Sequence, residues 1–117
     1  MQIHLSPRHL RLTASIHQHV AAKVAHLEEI AADIVAAHLV LIHDEVAKPD
    51  DRYTVKAHLA VPGPDIHAEE NHAELYGALD LVMDKLARQL RKRKTRLQDK
   101  GRSKTAKIVR RQKLTAA

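Results

Sequence analysis

The chain contains no cysteine, phenylalanine or tryptophan, and only three glycines and two tyrosines among 117 residues. Without cysteine there is no disulfide, no thiolate nucleophile and no Cys-type zinc site, which suits a reducing compartment. Without Phe or Trp the core must be aliphatic, built from Leu, Val, Ile and Ala, and hydrophobic residues at 44% supply enough of them. No apolar run approaches the roughly 18 residues that a membrane span needs. The N-terminal stretch "MQIHLSPRHLRL" also lacks the cationic and apolar regions of a leader. A cytoplasmic, membrane-free protein is expected. Gly63, Gly77 and Gly101 are too scattered for a phosphate-cradling loop, and no nucleophile motif surrounds Ser6, Ser15 or Ser103. The expectation is a protein that is not an enzyme and uses no cofactor.

What the chain has is charge, unevenly placed. Residues 1–83 hold 6 basic and 12 acidic residues, whereas residues 84–117 hold 14 basic and 2 acidic ones. An acidic body followed by a strongly basic end points to a polyanionic partner for that end. The plainer reading of the last residues is a solvated basic tail.

Hydrophobic periodicity orders the rest. Ile3 and Leu5 alternate with polar neighbours until Pro7, a short strand over 2–6. Thr13 is placed to cap a helix over 13–32 whose apolar face is Ile16, Val20, Val24, Leu27, Ala31 and Ile34. "VAAHLVLIHDE" reads as a second strand, and "AKPDD" as a turn. "RYTVKAHLAV" has a period of two, with Tyr53, Val55, Ala57, Leu59 and Val61 on the core side. "PGP" at 62–64 is a turn and "DIHAE" a fourth strand. Asn71, with Glu74 three residues on, reads as the cap of a second helix. Its stripe is Leu75, Leu79, Val82, Met83, Leu86 and Leu90, with Leu97 one turn further after a gap at Arg93 and Lys94. The helix is therefore expected to pack as far as Leu90 and project beyond it. The fold class predicted is α+β in the order β-α-β-β-β-α, a sandwich with two helices on one face of a four-stranded, mostly antiparallel sheet. Residues 1–100 form the domain, and 101–117 a basic tail expected to be disordered unless a polyanion orders it.

On a wheel of about 100° per residue, Lys85, Arg88, Lys92 and Arg96 share a sector of about 80°, roughly 120° from the leucines. Arg91, Arg93 and Lys94 widen that ridge. Such a row suits a line of phosphates. The sequence has no GXXG loop, zinc-finger spacing or defensible helix-turn-helix, and no aromatics to spare for base stacking, so backbone and shape recognition of structured RNA is expected. A membrane-surface helix is disfavoured because the apolar stripe is needed as core and no Trp or Phe is available as an interfacial anchor.

"EIAADIVAAHLVLIHDE" and "IHAEENHAELYGALDLVMDKLARQLRKRK" resemble the ribosome hibernation promoting factor family, also known as ribosome-associated inhibitor A or sigma-54 modulation proteins, over about residues 1–100. The stretch from Tyr76 through "ALD" into "DKLARQLRK" is the most specific part, and "KVAHLE" fits the family's first helix. The resemblance implies a translation inhibitor of stress or stationary phase that binds 16S rRNA of the small subunit at the decoding region, in the 30S particle or the 70S ribosome, and occludes mRNA and tRNA. It carries the rRNA-binding role onto Lys23, Lys85, Arg88 and Lys92, with Arg91, Arg93 and Arg96 extending the set. Tyr76 and Asp80 match a helix-start motif with structural roles. The length has no room for the family's dimerising C-terminal domain, so a short form is implied, with a ribosome modulation factor as a further partner. Some short forms carry an acidic tail, but this one is basic. His43 stands near where family members often carry Lys or Arg. A general double-stranded RNA-binding module and a protein-binding modulator of sigma-54-dependent transcription are the alternatives.

Ten histidines raise the question of a metal. His17 with His19, or His67 with His72, could be offered as ligands, but the spacing matches no metal motif and no metal site is expected. Histidines near the RNA face would gain charge below about pH 6.5 and tighten binding. Asp80 and Asp84 look like a carboxylate pair, but Asp84 lies four residues before Arg88 and reads as half of a helix salt bridge.

Overall fold

Ile3 and Leu5 belong to β1 (Gln2–Arg8), which runs on through Pro7 instead of stopping there. The reason lies in its place. It is an edge strand of the four-stranded sheet, where a residue without an N–H donor is tolerated. His9 then takes a left-handed conformation, φ 60°, between the strand and the first helix. The structure, a computed structural model, describes the backbone of residues 1–116 and the side chains of residues 1–97.

Thr13 caps α1 (Ala14–Ile30) as its position predicts, its Oγ1 accepting the Ile16 N–H at 3.2 Å. β2 (Ala36–His43) pairs parallel to β1, as a strand reached through a helical crossover does. A single 3-10 turn at Pro49–Asp51 precedes β3 (Tyr53–Ala60), which pairs antiparallel with β2 and with β4 (Ile66–His72). α2 (Leu75–Ala116) follows. The expected basic tail over 101–117 lies outside the residues whose side chains are described.

Every residue of the stripe expected for the first helix is buried, Ala31 and Ile34 lying just beyond the end of α1, as are Leu75, Leu79, Val82, Met83, Leu86 and Leu90 of α2. They pack with Leu39, Leu41, Val55, Ala57 and Leu59 into one aliphatic core between the helices and one face of the sheet. Leu97, at 57% exposure, stands clear of that core. The apolar packing of α2 thus ends near Leu90, and beyond it Arg91, Lys92, Lys94 and Arg96 are exposed.

The start of α2 differs from the expectation. Asn71 is still in β4, where its side chain accepts the Thr54 hydroxyl at 2.9 Å across the β3–β4 pair. The cap is His72 instead, whose Nδ1 accepts the Glu74 N–H at 2.9 Å. Gly77 makes that possible, because a Cβ there would overlap the His72 ring. Gly77→Ala should therefore not deliver the roughly 1 kcal/mol that Ala gains over Gly in a helix, since it displaces a cap of similar worth. On a His72→Ala background the same substitution should stabilise by about 0.5–1 kcal/mol. Urea unfolding of the two single variants and the double variant checks this sign change.

Candidate nucleic-acid interface

Helix α2 presents its cations in two ways, some held by the fold and some free. Lys85 turns toward β4, where it forms an ion pair with Glu70 and donates to the Glu69 carbonyl at 3.3 Å. Gln89 donates to the His67 carbonyl at 2.8 Å one turn on. These contacts set the rotation of α2 against the sheet edge.

Arg93 occupies what the sequence presents as a gap in the apolar stripe. Its position still faces the body of the protein, and the guanidinium takes over where leucine stops. It forms a two-pronged pair with Asp33 at 3.2 and 2.7 Å and donates to the Pro62 carbonyl at 3.2 Å. One side chain thereby ties α2 to the α1–β2 connection and to the β3–β4 turn. The hydrogen bonds from Arg93 hold the Asp33 carboxyl below the usual carboxylate range, against an opposing push from burial.

Lys23 of α1 sits at the helix–helix seam. Its Nζ is 3.5 Å from the Asp80 carboxylate, whose same oxygen is 2.8 Å from His19 Nε2. Tyr76 lies edge-on to His19 with ring centroids 4.9 Å apart. Burial pushes the Asp80 carboxyl up, but the hydrogen bond from His19 and the charge of Lys23 outweigh it and leave it lowered. Asp80 thus gathers groups from α1 onto α2.

Arg88, Arg91, Lys92 and Arg96 are exposed, and among the described residues none takes part in an intramolecular ion pair. With Thr95 they line a shallow depression on the outer side of α2. The pair expected between Asp84 and Arg88 is not formed among the described residues, so Arg88 is left to solvent. Of the seven sequence-predicted basic residues, four make a free cluster. Lys23, Lys85 and Arg93 are each held by a carboxylate of the fold. That division was not readable from the sequence, because the partners lie on other elements, in the case of Arg93 sixty residues away.

The open face of the sheet carries a second pattern that the sequence conceals. His4, His38, His58 and His67 are successive partners across all four strands. The His58 and His67 rings stack at 4.6 Å, and His4 meets His38 edge-on at 6.3 Å. Asp65 lies 2.7 Å from His58 Nε2, and this hydrogen bond holds its carboxyl low. Among the described residues no group of three or more His, Asp or Glu is placed to hold a metal ion. His72, considered with His67 as a ligand, is engaged as the α2 cap.

Three carboxylates, Asp33, Asp65 and Asp80, are therefore lowered by native contacts. A carboxylate whose folded pKa lies below its unfolded value, about 3.9 for Asp, stabilises the fold above that value and loses the contribution as pH falls through the folded pKa. Stability should be flat between about pH 7 and 5 on this account and fall below about pH 4. Asp33→Asn should start lower at pH 7 and fall less steeply in acid, which urea midpoints at pH 7, 5 and 3.5 would show.

Comparison with known proteins agrees with this architecture. Residues 3–98 match the family described as Sigma 54 modulation protein / S30EA ribosomal protein. The ribosome hibernation promotion factor of Deinococcus radiodurans is 40% identical over 97 residues, covering 82% of this chain and 51% of that one. The ribosome hibernation promoting factor of Escherichia coli strain K12 is 35% identical over 97 residues, covering 83% of this chain and 97% of that one. This chain thus spans about half of the first relative and nearly all of the second. Among solved structures, a ribosomal subunit interface protein from Coxiella burnetii superposes with a TM-score of 0.70 at 22% identity, covering 81% of this chain and 99% of that one. The N-terminal domain of Thermus thermophilus Protein Y gives 0.65 at 26% identity, with 79% and 98% covered. The match over 3–98, the relatives' identity and the shared β-α-β-β-β-α order together assign the chain to the Sigma 54 modulation protein / S30EA ribosomal protein family, to which its hibernation-factor relatives point.

Proposed function

We propose that this protein is a non-enzymatic, cytoplasmic, ribosome-binding inhibitor of translation. It docks on 16S rRNA of the small subunit at the decoding region and occupies the space of mRNA and tRNA under stress or in stationary phase. The observation that carries this reading is the cluster of Arg88, Arg91, Lys92 and Arg96, four exposed cations that form no ion pair among the described residues, on a helix whose preceding turns are fixed in the core. Cations already extended from a rigid element neutralise phosphates with little ordering cost, and the counterions they displace drive association. Lys23, Lys85 and Arg93 take a positioning part, each keeping its charge near the interface while a carboxylate fixes its place.

The relatives' names, ribosome hibernation promoting factors, support the choice of the ribosome over RNA in general. A ribosome modulation factor is the further partner this reading admits. Sedimentation of stationary-phase extract through a sucrose gradient tests it. The protein should migrate with 30S or 70S particles, and its failure to do so would remove the reading. Equal affinity for plain duplex RNA and for small subunits would favour a general double-stranded RNA-binding module instead.

A further inference from the structure

Beside the free ridge, α2 forms one wall of a cleft of about 640 Å³ whose other wall is the β3–β4 turn. The turn is stiff. Pro62 and Pro64 fix their own φ angles, and Gly63 between them takes φ +93°, a conformation few other residues adopt. Arg93 joins the walls, since it belongs to α2 and donates to the Pro62 carbonyl while holding Asp33. The width of the cleft is therefore set by a side chain the fold already uses.

Its lining has a polarity of its own. Ile66, the two prolines and the half-exposed Leu97 make the body apolar. Of the two carboxylates at its border, Asp33 is paired with Arg93 and Asp65 is hydrogen-bonded to His58. Lys92 and Arg96 at the mouth form no ion pair among the described residues, so the cleft has an apolar interior and a net cationic rim. A ligand that fits has a flat, weakly polar body with an anionic end, and the volume is in the range of sites for small molecules, about 300–1,000 Å³.

The same Lys92 and Arg96 are continuous with Arg88 and Arg91 on the outer side of the helix. We infer that the cleft receives a single unstacked nucleotide of the RNA on which the ridge docks, its base lying against Pro62, Pro64 and Leu97 and its phosphate held by Lys92 and Arg96. This rests on the RNA-binding reading above and adds to it. The ridge follows phosphates without regard to sequence, whereas an everted base is accessible only in a loop, bulge or end. The cleft is then what distinguishes such an irregular site from a plain duplex.

The test uses the full-length protein, purified small subunits and the variants Leu97→Asp, Leu97→Met and Leu81→Asp. Leu97 and Leu81 are both exposed on α2, at 57% and 41%, but only Leu97 lines the cleft. Each Asp variant adds the same charge to the same helix and leaves every cation in place. Leu97→Asp should weaken small-subunit binding at least about 10-fold more than Leu81→Asp, Leu97→Met should restore it, and all three should keep the parent urea midpoint. Equal losses in the two Asp variants would show an effect of charge alone, and no loss in Leu97→Asp would show an empty cleft. Either result overturns the inference while leaving the ridge as the docking surface. Absence of small-subunit binding by the parent protein would remove both readings together.

Discussion

Reversing two free cations at once, Arg88→Glu with Lys92→Glu, is expected to weaken binding to small subunits by about 100-fold or more at physiological salt without altering the fold. Each phosphate contact contributes about 0.7–0.9 to the slope of log affinity against log salt, so the slope should fall by about 1.4–1.8, and the new carboxylates then repel the backbone as well. Both side chains are exposed, and neither is in an ion pair among the described residues, so the unfolding transition has no native contact to lose. The comparable change at Lys85 is a poorer probe. Lys85→Glu would break the pair with Glu70 and set a second carboxylate against it at the edge of β4, so lost binding could not be separated from a shifted helix. Titration at 50, 100 and 200 mM salt decides the matter. An unchanged affinity and slope in Arg88→Glu with Lys92→Glu would mean that the ridge is not the contact surface.

The elements were legible in the sequence wherever one residue's environment repeats along the chain. The period of two in β3 and the 3.6-residue stripe of each helix record which side faces the core, and those residues are buried in the structure as far as Leu90 on α2, Tyr53 only in part. Thr13 was legible as a cap because a hydroxyl three residues before the N–H it accepts is a local arrangement. The α2 cap was not, because the nearby Asn71 was recruited by Thr54 across the sheet, which freed the role for an imidazole that only a glycine at 77 could accommodate. The site was legible to the same depth. Composition and wheel geometry located the basic face of α2, but which of the seven predicted cations are held depends on carboxylates that the topology brings to them: Asp33 from the α1–β2 connection to Arg93, Glu70 of β4 to Lys85, and Asp80 of α2 to Lys23 of α1. Arg93 shows the difference most clearly. As text it is one more positive charge, and as structure it joins three segments and shapes the cleft that Lys92 and Arg96 border.

Leu86→Ala is expected to destabilise the fold by about 2–5 kcal/mol, the range for deleting a fully buried leucine where the surroundings close only in part. Leu86 is wholly buried, in a core whose buried side chains include, among the described residues, no aromatic ring and no polar group. Met83, one turn earlier on the same helix, has the flexibility to fill part of the cavity. Against a total of about 5–15 kcal/mol for a typical domain, that loss is a large share. Leu97→Ala, by contrast, removes a side chain that is 57% exposed and should fall within about 0.5 kcal/mol of the parent. Between them the two substitutions divide α2 as the structure does, into a packed part that holds the ridge and a projecting part that borders the cleft. Leu86 lies between Lys85 and Arg88, so its truncation also tests how the ridge is held. If the core merely supports preformed cations, the folded fraction of Leu86→Ala should bind small subunits with near-parental affinity, and the loss in total binding should track the unfolded fraction measured in the same buffer. If binding falls far below that fraction, the rotation of α2 on the sheet is itself part of recognition, and the Lys85–Glu70 and Arg93–Asp33 pairs that set it become determinants of affinity without touching RNA.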